Sequence, residues 1–251
     1  MIKLDGARVV VTGAGGGLGA ALLAAFGALG AQVVACDVAG ADLSAPSIAE
    51  RQVFDLRDRS ATLAAAAAIL RGGVPQIIIS NAGWTRQDTL EATTPDGIDD
   101  ELARNFTGAA HFTQAFLPAL RTAGGDRAFV FVGSVNGLTH HGNPAYSAAK
   151  AALLAWSRAI AVEEGRHGIR SNAVIPASIR TNAWDYRLAA DPTVMDRLAA
   201  IYPLGRIVTT DEVARAVVFL ASPAASGITG TTLTVDAGLM AGNLPFLDAI
   251  R

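Results

Sequence analysis

Arg8-Val-Val-Val-Thr-Gly-Ala-Gly-Gly-Gly-Leu-Gly19, which leads into Gln32-Val-Val-Ala-Cys-Asp37, decides the fold. Its first five residues are a β-branched run of the kind that fills a strand buried on both faces. The run breaks on glycines. Leu18, Ala21, Leu22, Ala25, Phe26 and Leu29 then recur at helical spacing, and Gly30 ends that helix. A second strand from Gln32 to Cys36 closes on Asp37, giving a βαβ unit of about minimum length, whose crossover is right-handed because strands twist.

The glycines have a physical task. Without a Cβ, the chain can turn tightly enough to bring helix amides against a pyrophosphate. Asp37 lies eighteen residues beyond Gly19, about where a carboxylate can accept hydrogen bonds from both ribose hydroxyls of an adenosine. It would repel a 2′-phosphate, and Ala14, Gly15 and Gly16 offer no cation to welcome one, so NAD is expected over NADP.

At 251 residues with 51% apolar content, the chain can fill one large two-sided core, so a single domain over 1–251 is expected. A net charge of −2 with scattered Lys and Arg points away from nucleic acid and anionic membranes, toward small neutral or mildly polar partners. The lone cysteine, Cys36, cannot form an internal disulfide. The run Ala7–Val11 is too short for a signal segment, and Ala61–Leu70 falls well short of the roughly 20 residues that span a bilayer. The expectation is a soluble cytoplasmic protein.

Further strands are expected at Gln52–Phe54, Gln76–Ser80, Arg127–Val132, Arg170–Ile175 and Thr231–Val235. The alternation with helices gives an α/β, doubly wound parallel sheet of Rossmann type. Ligands in such sheets lie beyond the carboxyl ends of the strands, where Thr12, Asp37, Asp55, Asn81 and Ser134 all fall. Pro95 opens a helix carrying Asn105, which is either a buried hydrogen-bonding peg or a functional group. Pro118 is expected to bend or end that helix, Thr210-Asp-Glu to cap a later one, and residues 177–205 to form an irregular substrate loop.

Tyr146 and Lys150 are four apart in a run without a breaker from Pro144 to Gly165, so they project from one helix face. A free phenol has a pKa of about 10, so a base near neutrality needs a shift of about three units, or roughly 4 kcal/mol. A fixed ammonium in a partly dry site can supply much of that. Tyr-x-x-x-Lys alone also fits a surface pair with the lysine stem along the ring; Ser134 after an apolar strand and the glycine turn make the catalytic reading stronger.

Thr12-Gly-Ala-Gly-Gly-Gly-Leu-Gly19, Asn81-Ala-Gly83, Asn105, Ser134, Tyr146-Ser-Ala-Ala-Lys150 and Asp236-Ala-Gly238 together resemble the classical short-chain dehydrogenase/reductase family, in the family's order over nearly the whole chain. The resemblance implies a seven-stranded parallel sheet flanked by helices on both faces, assembled as a homotetramer or homodimer. It implies that Gly13, Gly17, Leu18 and Gly19 hold the cofactor, that Asp37 binds the adenine ribose, and that Asp55 and Leu56 line the adenine. Asn81, Ala82 and Gly83 would shape the ribose and pyrophosphate side, with Pro176, Ile179 and Thr181 near the carboxamide. Ser134, Tyr146, Lys150 and Asn105 would be the catalytic tetrad, with Tyr146 and Lys150 also touching cofactor. Two departures stand out. The family's Pro-Gly after strand six is Pro176-Ala177 here, and its Asn-Asn-Ala-Gly is Ser80-Asn-Ala-Gly83.

The implied reaction is NAD-dependent interconversion of a secondary alcohol and a ketone. An NADPH-dependent 3-oxoacyl-type ketoreductase, or a noncatalytic dinucleotide-binding scaffold, is the alternative. Trp84, His140, His141, Asn143, Trp184 and Tyr186 fall in loops at the active end and are pocket candidates or surface packing. The adjacent His140-His141 pair lacks metal-ligand spacing, so no metal is expected. Small residues along Ala148–Ala159 point to assembly through the helices bearing Asn105 and Tyr146.

Overall fold

The computed structural model describes residues 2–85, 89–181, 184, 188–189 and 191–251. Seven parallel strands run in the order β3-β2-β1-β4-β5-β6-β7. They are β1 (Arg8–Thr12), β2 (Gln32–Asp37), β3 (Ile48–Val53), β4 (Ile77–Ser80), β5 (Arg127–Val132), β6 (Ile169–Pro176) and β7 (Thr232–Val235). The order reverses between β1 and β4, which opens a crevice at the carboxyl ends of those two strands.

Alternation along each central strand builds two cores. Val9, Val11, Ile77, Ile79 and Val130 point to one side, where α1 (Gly17–Ala28) packs with Leu22 and Phe26. Val10, Ile78, Phe129 and Phe131 point to the other, which α2 (Arg59–Arg71), α4 (Gly108–Ala123) and α5 (Pro144–Glu164) cover. Short α3 (Pro95–Leu102) leads into α4 through a π-turn at Ala103–Thr107.

Several elements differ from expectation. β3 begins at Ile48 rather than Gln52, because it is the sheet edge and carries Glu50 and Arg51 on a half-exposed strand that apolar patterning does not reveal. Pro118 does not end α4, which runs to Ala123. Pro118 and Gln114 are both exposed, so the carbonyl that loses its N–H partner faces water. The span 177–205 is not wholly irregular, since α6 covers Val194–Ile201 and Ile179 bridges Val208. After it come α7 (Thr210–Ala221) and α8 (Leu244–Ala249). Among the described residues, no helix is long and apolar enough to cross a membrane.

The cap of α7 is Thr209, one residue earlier than expected. Its hydroxyl accepts from the Glu212 N–H at 3.3 Å while Glu212 Oε2 accepts from the Thr209 N–H at 2.9 Å. The Arg206 guanidinium and the Thr209 bonds hold the Glu212 carboxyl down to about 2. A carboxyl lowered on folding contributes stability above its ordinary pKa, and that contribution is lost as pH falls through the folded value. The urea midpoint of the parent should therefore exceed that of Glu212→Gln at pH 6, with the gap closing between about pH 4.5 and 2. A gap unchanged over that window would show that the box does not depend on charge.

Candidate active site

Along the crevice lies a cleft of about 1780 Å³. Its floor is the glycine turn, where two of the expected glycines meet backbone too closely for a Cβ and a third would make a tight side-chain contact. One on Gly13, at φ 65°, would lie 2.7 Å from Ala82 Cα; one on Gly19 would lie 2.1 Å from Gly13 O; one on Gly17 would lie 3.0 Å from Thr181 Cγ2. Asn81 ties β1 to the loop after β4, its Nδ2 donating to Thr12 O and Gly13 O at 3.0 Å each. Thr12 Oγ1 accepts from the N–H groups of Asn81 and Ala82 at 3.0 and 3.1 Å. The result is a cradle of close-packed backbone at the amino end of α1, the kind of surface that receives a dinucleotide phosphate.

Asp37 closes one end. Its Oδ2 accepts from the Gly15 N–H at 2.8 Å and its Oδ1 from the Val38 N–H at 2.7 Å, so the carboxylate is already oriented at the rim of the turn. Nearby, Asp55 accepts from Arg57 Nη2 at 2.6 Å, and that guanidinium holds its carboxyl below the usual carboxylate range. Helix α4 presses on the neighbouring loop so tightly that a Cβ on Gly108 would lie 2.5 Å from Leu56 O.

The other end holds the polar triad. Ser134 caps the short helical turn after β5, and its Oγ accepts from the Asn136 N–H at 3.2 Å. Asn136 Nδ2 donates to Gly142 O at 2.8 Å and to Ser147 Oγ at 3.2 Å, fixing the loop that carries Ser134 to the start of α5. Lys150 is 3% exposed, with Nζ donating to Val132 O at 2.9 Å and lying 5.6 Å from the centre of the Tyr146 ring. The expected acidic phenol is absent from the protein by itself. Burial, against a hydrogen bond with Ser134, pushes Tyr146 up to about 12, and burial lowers Lys150 to about 8. Desolvation opposes charge on both groups and is the largest influence on each.

Asn105 lies behind the cleft wall, 1% exposed. Its Oδ1 accepts from the Trp84 N–H at 3.0 Å, and its Nδ2 donates to Trp84 O at 3.0 Å and to Glu101 Oε2 at 2.7 Å. Its side chain is a peg that pins the loop after β4 to the π-turn.

A family model described as enoyl-(acyl carrier protein) reductase matches residues 13–240. The chain is a classical short-chain dehydrogenase/reductase. It is 39% identical to an uncharacterized oxidoreductase, C922.06, of Schizosaccharomyces pombe, over 96% of this chain and 94% of that one. It is 36% identical to the galactitol 2-dehydrogenase (L-tagatose-forming) of Cereibacter sphaeroides, over 95% of this chain and 96% of the relative. A crystal structure of an oxidoreductase of the short-chain dehydrogenase/reductase family from Burkholderia thailandensis superposes with a TM-score of 0.90 at 36% identity, covering 98% and 97% of the two chains. As a member of this dehydrogenase family, the protein is an oxidoreductase acting on CH–OH with a nicotinamide cofactor.

With the family in hand, the site residues sort by position. Gly13, Gly17, Leu18, Gly19, Asp37, Asp55, Leu56, Asn81, Ala82, Gly83, Ser134, Tyr146, Lys150, Pro176, Ile179 and Thr181 all line the one cleft. Trp84, His141, Asn143 and Trp184 line it as well, whereas His140 does not; Tyr186 lies outside the described residues. The family's Gly position after Pro176 tolerates Ala177, whose φ stays out of the left-handed region and whose methyl packs between the two cores. Three residues escaped the sequence reading: Gly15, which donates to Asp37; Asn136, two residues past Ser134; and Glu101, one helical turn before Asn105. The i, i+4 spacing of Glu101 and Asn105 was a legible signal. Among the described residues, no group of three or more His, Cys, Asp or Glu is placed to hold a metal.

Proposed function

We propose that this member of the family is an NAD-dependent dehydrogenase interconverting a secondary alcohol and a ketone, with Tyr146, Lys150 and Ser134 at the reacting carbon. The reading is supported above all by one arrangement: the three side chains share a single cleft with a carboxylate, Asp37, oriented at its far end by the Gly15 amide.

The residues fit the cofactor, since Gly13 and Gly19 of the cradle leave no room for a Cβ and Asp37 presents acceptor oxygens to a ribose diol. NAD, when bound, supplies the acceptor for the hydride leaving the carbinol carbon. The chain's own part is the proton. Tyr146 takes the hydroxyl proton in oxidation and returns it to the carbonyl oxygen in reduction. Held up near 12, the phenol carries its proton at neutral pH, so the protein is poised to act as the acid, and alcohol oxidation should rise with pH. Ser134 orients the substrate oxygen and stabilises its developing charge. Lys150, anchored on Val132 O, presents its ammonium beside the ring.

The test is a panel of polyols, cyclic alcohols and hydroxyacyl thioesters scored for reduced cofactor, with NADH and NADPH titrated in parallel; polyols are included because of the likeness to a galactitol dehydrogenase. NADH should bind at least about tenfold more tightly than NADPH, and Asp37→Ala should weaken NADH about tenfold or more while narrowing that gap. Tighter NADPH binding would favour the ketoreductase reading. Tight NADH binding with no alcohol turned over would favour a noncatalytic dinucleotide holder.

A further inference from the structure

We propose that Glu101 is a positioning residue of this site: its carboxylate fixes the Asn105 amide beside Lys150 and sets a negative charge behind the Tyr146–Lys150 pair. The inference rests on the reading of Tyr146 and Lys150 just given.

Glu101 sits in the last turn of α3, one helical turn before Asn105, so the two side chains share a face. Both carboxylate oxygens are engaged. Oε2 accepts from Asn105 Nδ2 at 2.7 Å, and Oε1 accepts from Thr85 Oγ1 at 2.9 Å, which joins α3 to the loop after β4. The Asn105 amide is thereby held in one flip state, with Nδ2 toward Glu101 and Oδ1 toward the Trp84 N–H. A Cβ on Gly83 would stand 2.9 Å from Asn105 Oδ1 and 3.1 Å from Lys150 Nζ, so amide and ammonium flank the same point of the chain. The carboxylate thus holds the amide behind the cleft wall, where amide and ammonium both approach Gly83, and Lys150 lines the cleft.

The charge reaches the pair: Glu101 raises Tyr146 in the same direction as its burial, and raises Lys150 against the burial that lowers it. On the Glu101 side of the wall, the neighbouring charges include Asp100, which accepts from Arg57 at 3.1 Å and Arg104 at 2.7 Å, and Arg104 lies over the Trp84 ring. Helix α5 contributes Tyr146 and Lys150 themselves, and the end of β5 contributes the Val132 carbonyl. A carboxylate that raises both groups keeps Lys150 charged to higher pH and the phenol protonated to higher pH. It therefore moves the whole working range alkaline.

Glu101→Gln keeps the shape and an acceptor for Asn105 while removing the charge; Glu101→Ala removes both. The chain has only two lysines, Lys3 and Lys150, so carbon-13 lysine NMR resolves Lys150 without turnover. In the intact 251-residue chain the Lys150 midpoint, about 8 in the parent, should fall in Glu101→Gln while Lys3 stays put. With a confirmed alcohol, both limbs of the kcat profile should move to lower pH in Glu101→Gln, with peak kcat within about threefold of the parent. Glu101→Ala should lose about tenfold in peak kcat that Glu101→Gln recovers. An unmoved Lys150 midpoint together with unmoved limbs in Glu101→Gln would overturn the proposal, as would equal loss of peak kcat in the two variants. A shifted Lys150 midpoint with no alcohol oxidised would instead sink the dehydrogenase reading and leave the charge of Glu101 on Lys150 established.

Discussion

Tyr146→Phe should lower kcat by about a thousandfold, in the range that a single positioned acid–base group supplies. The substitution removes only the hydroxyl. The ring keeps its place on α5, and the cradle at Gly13 to Gly19 and the Asp37 fork are untouched, so NADH binding should change by less than about threefold. Stability should move by no more than about 1 kcal/mol, because the hydroxyl gives up one hydrogen bond, with Ser134. Binding titration beside turnover with one confirmed alcohol separates the two effects. Turnover that survives within tenfold would move the proton transfer to another group, and Ser134 would be the next to test.

Gly19→Ala should have the largest effect on the folded state. Alanine in place of glycine ordinarily favours a helix by up to about 1 kcal/mol. Here the added Cβ would lie 2.1 Å from Gly13 O and 2.6 Å from Ala14 O, both backbone atoms of the turn, and neither can swing aside as a side-chain tip could. Clash therefore wins, at a cost of about 3 kcal/mol, which for a domain of this length lowers Tm by roughly 6–12 °C. NADH binding should weaken at least about tenfold, because the displaced turn no longer presents its amides. Gly16 supplies the control. A Cβ there meets nothing nearer than Gly13 O at 3.5 Å, and its φ is −76°, so Gly16→Ala should leave Tm almost unchanged. Equal Tm losses in the two variants would mean that the glycines serve chain flexibility rather than close approach.

The elements that were readable are those with a local cause. β1 and β5 match their expected bounds because their apolar runs are bounded by turn residues, and α5 runs from Pro144 to Glu164 as the breaker pattern requires. β3 and α6 were misread for the opposite reason: Glu50 and Arg51 make an edge strand look like loop, and α6 lies in a span rich in polar residues. Asn105 illustrates the boundary most clearly. Its residue type and its place in an apolar neighbourhood limited it to a peg or a functional group, but the partners that make its side chain a peg are the Trp84 backbone, twenty-one residues away, and Glu101.

By itself the sequence determined the βαβ unit, the single parallel sheet, and the residues that meet at its carboxyl edge, because strand alternation, helical spacing and glycine's missing Cβ are local properties. Tertiary structure alone decided the state of the site. Lys150 turns to Val132 O, Tyr146 is held near 12, and Glu101 stands behind both, since burial and charges from distant segments set proton affinity and no short stretch of chain contains them.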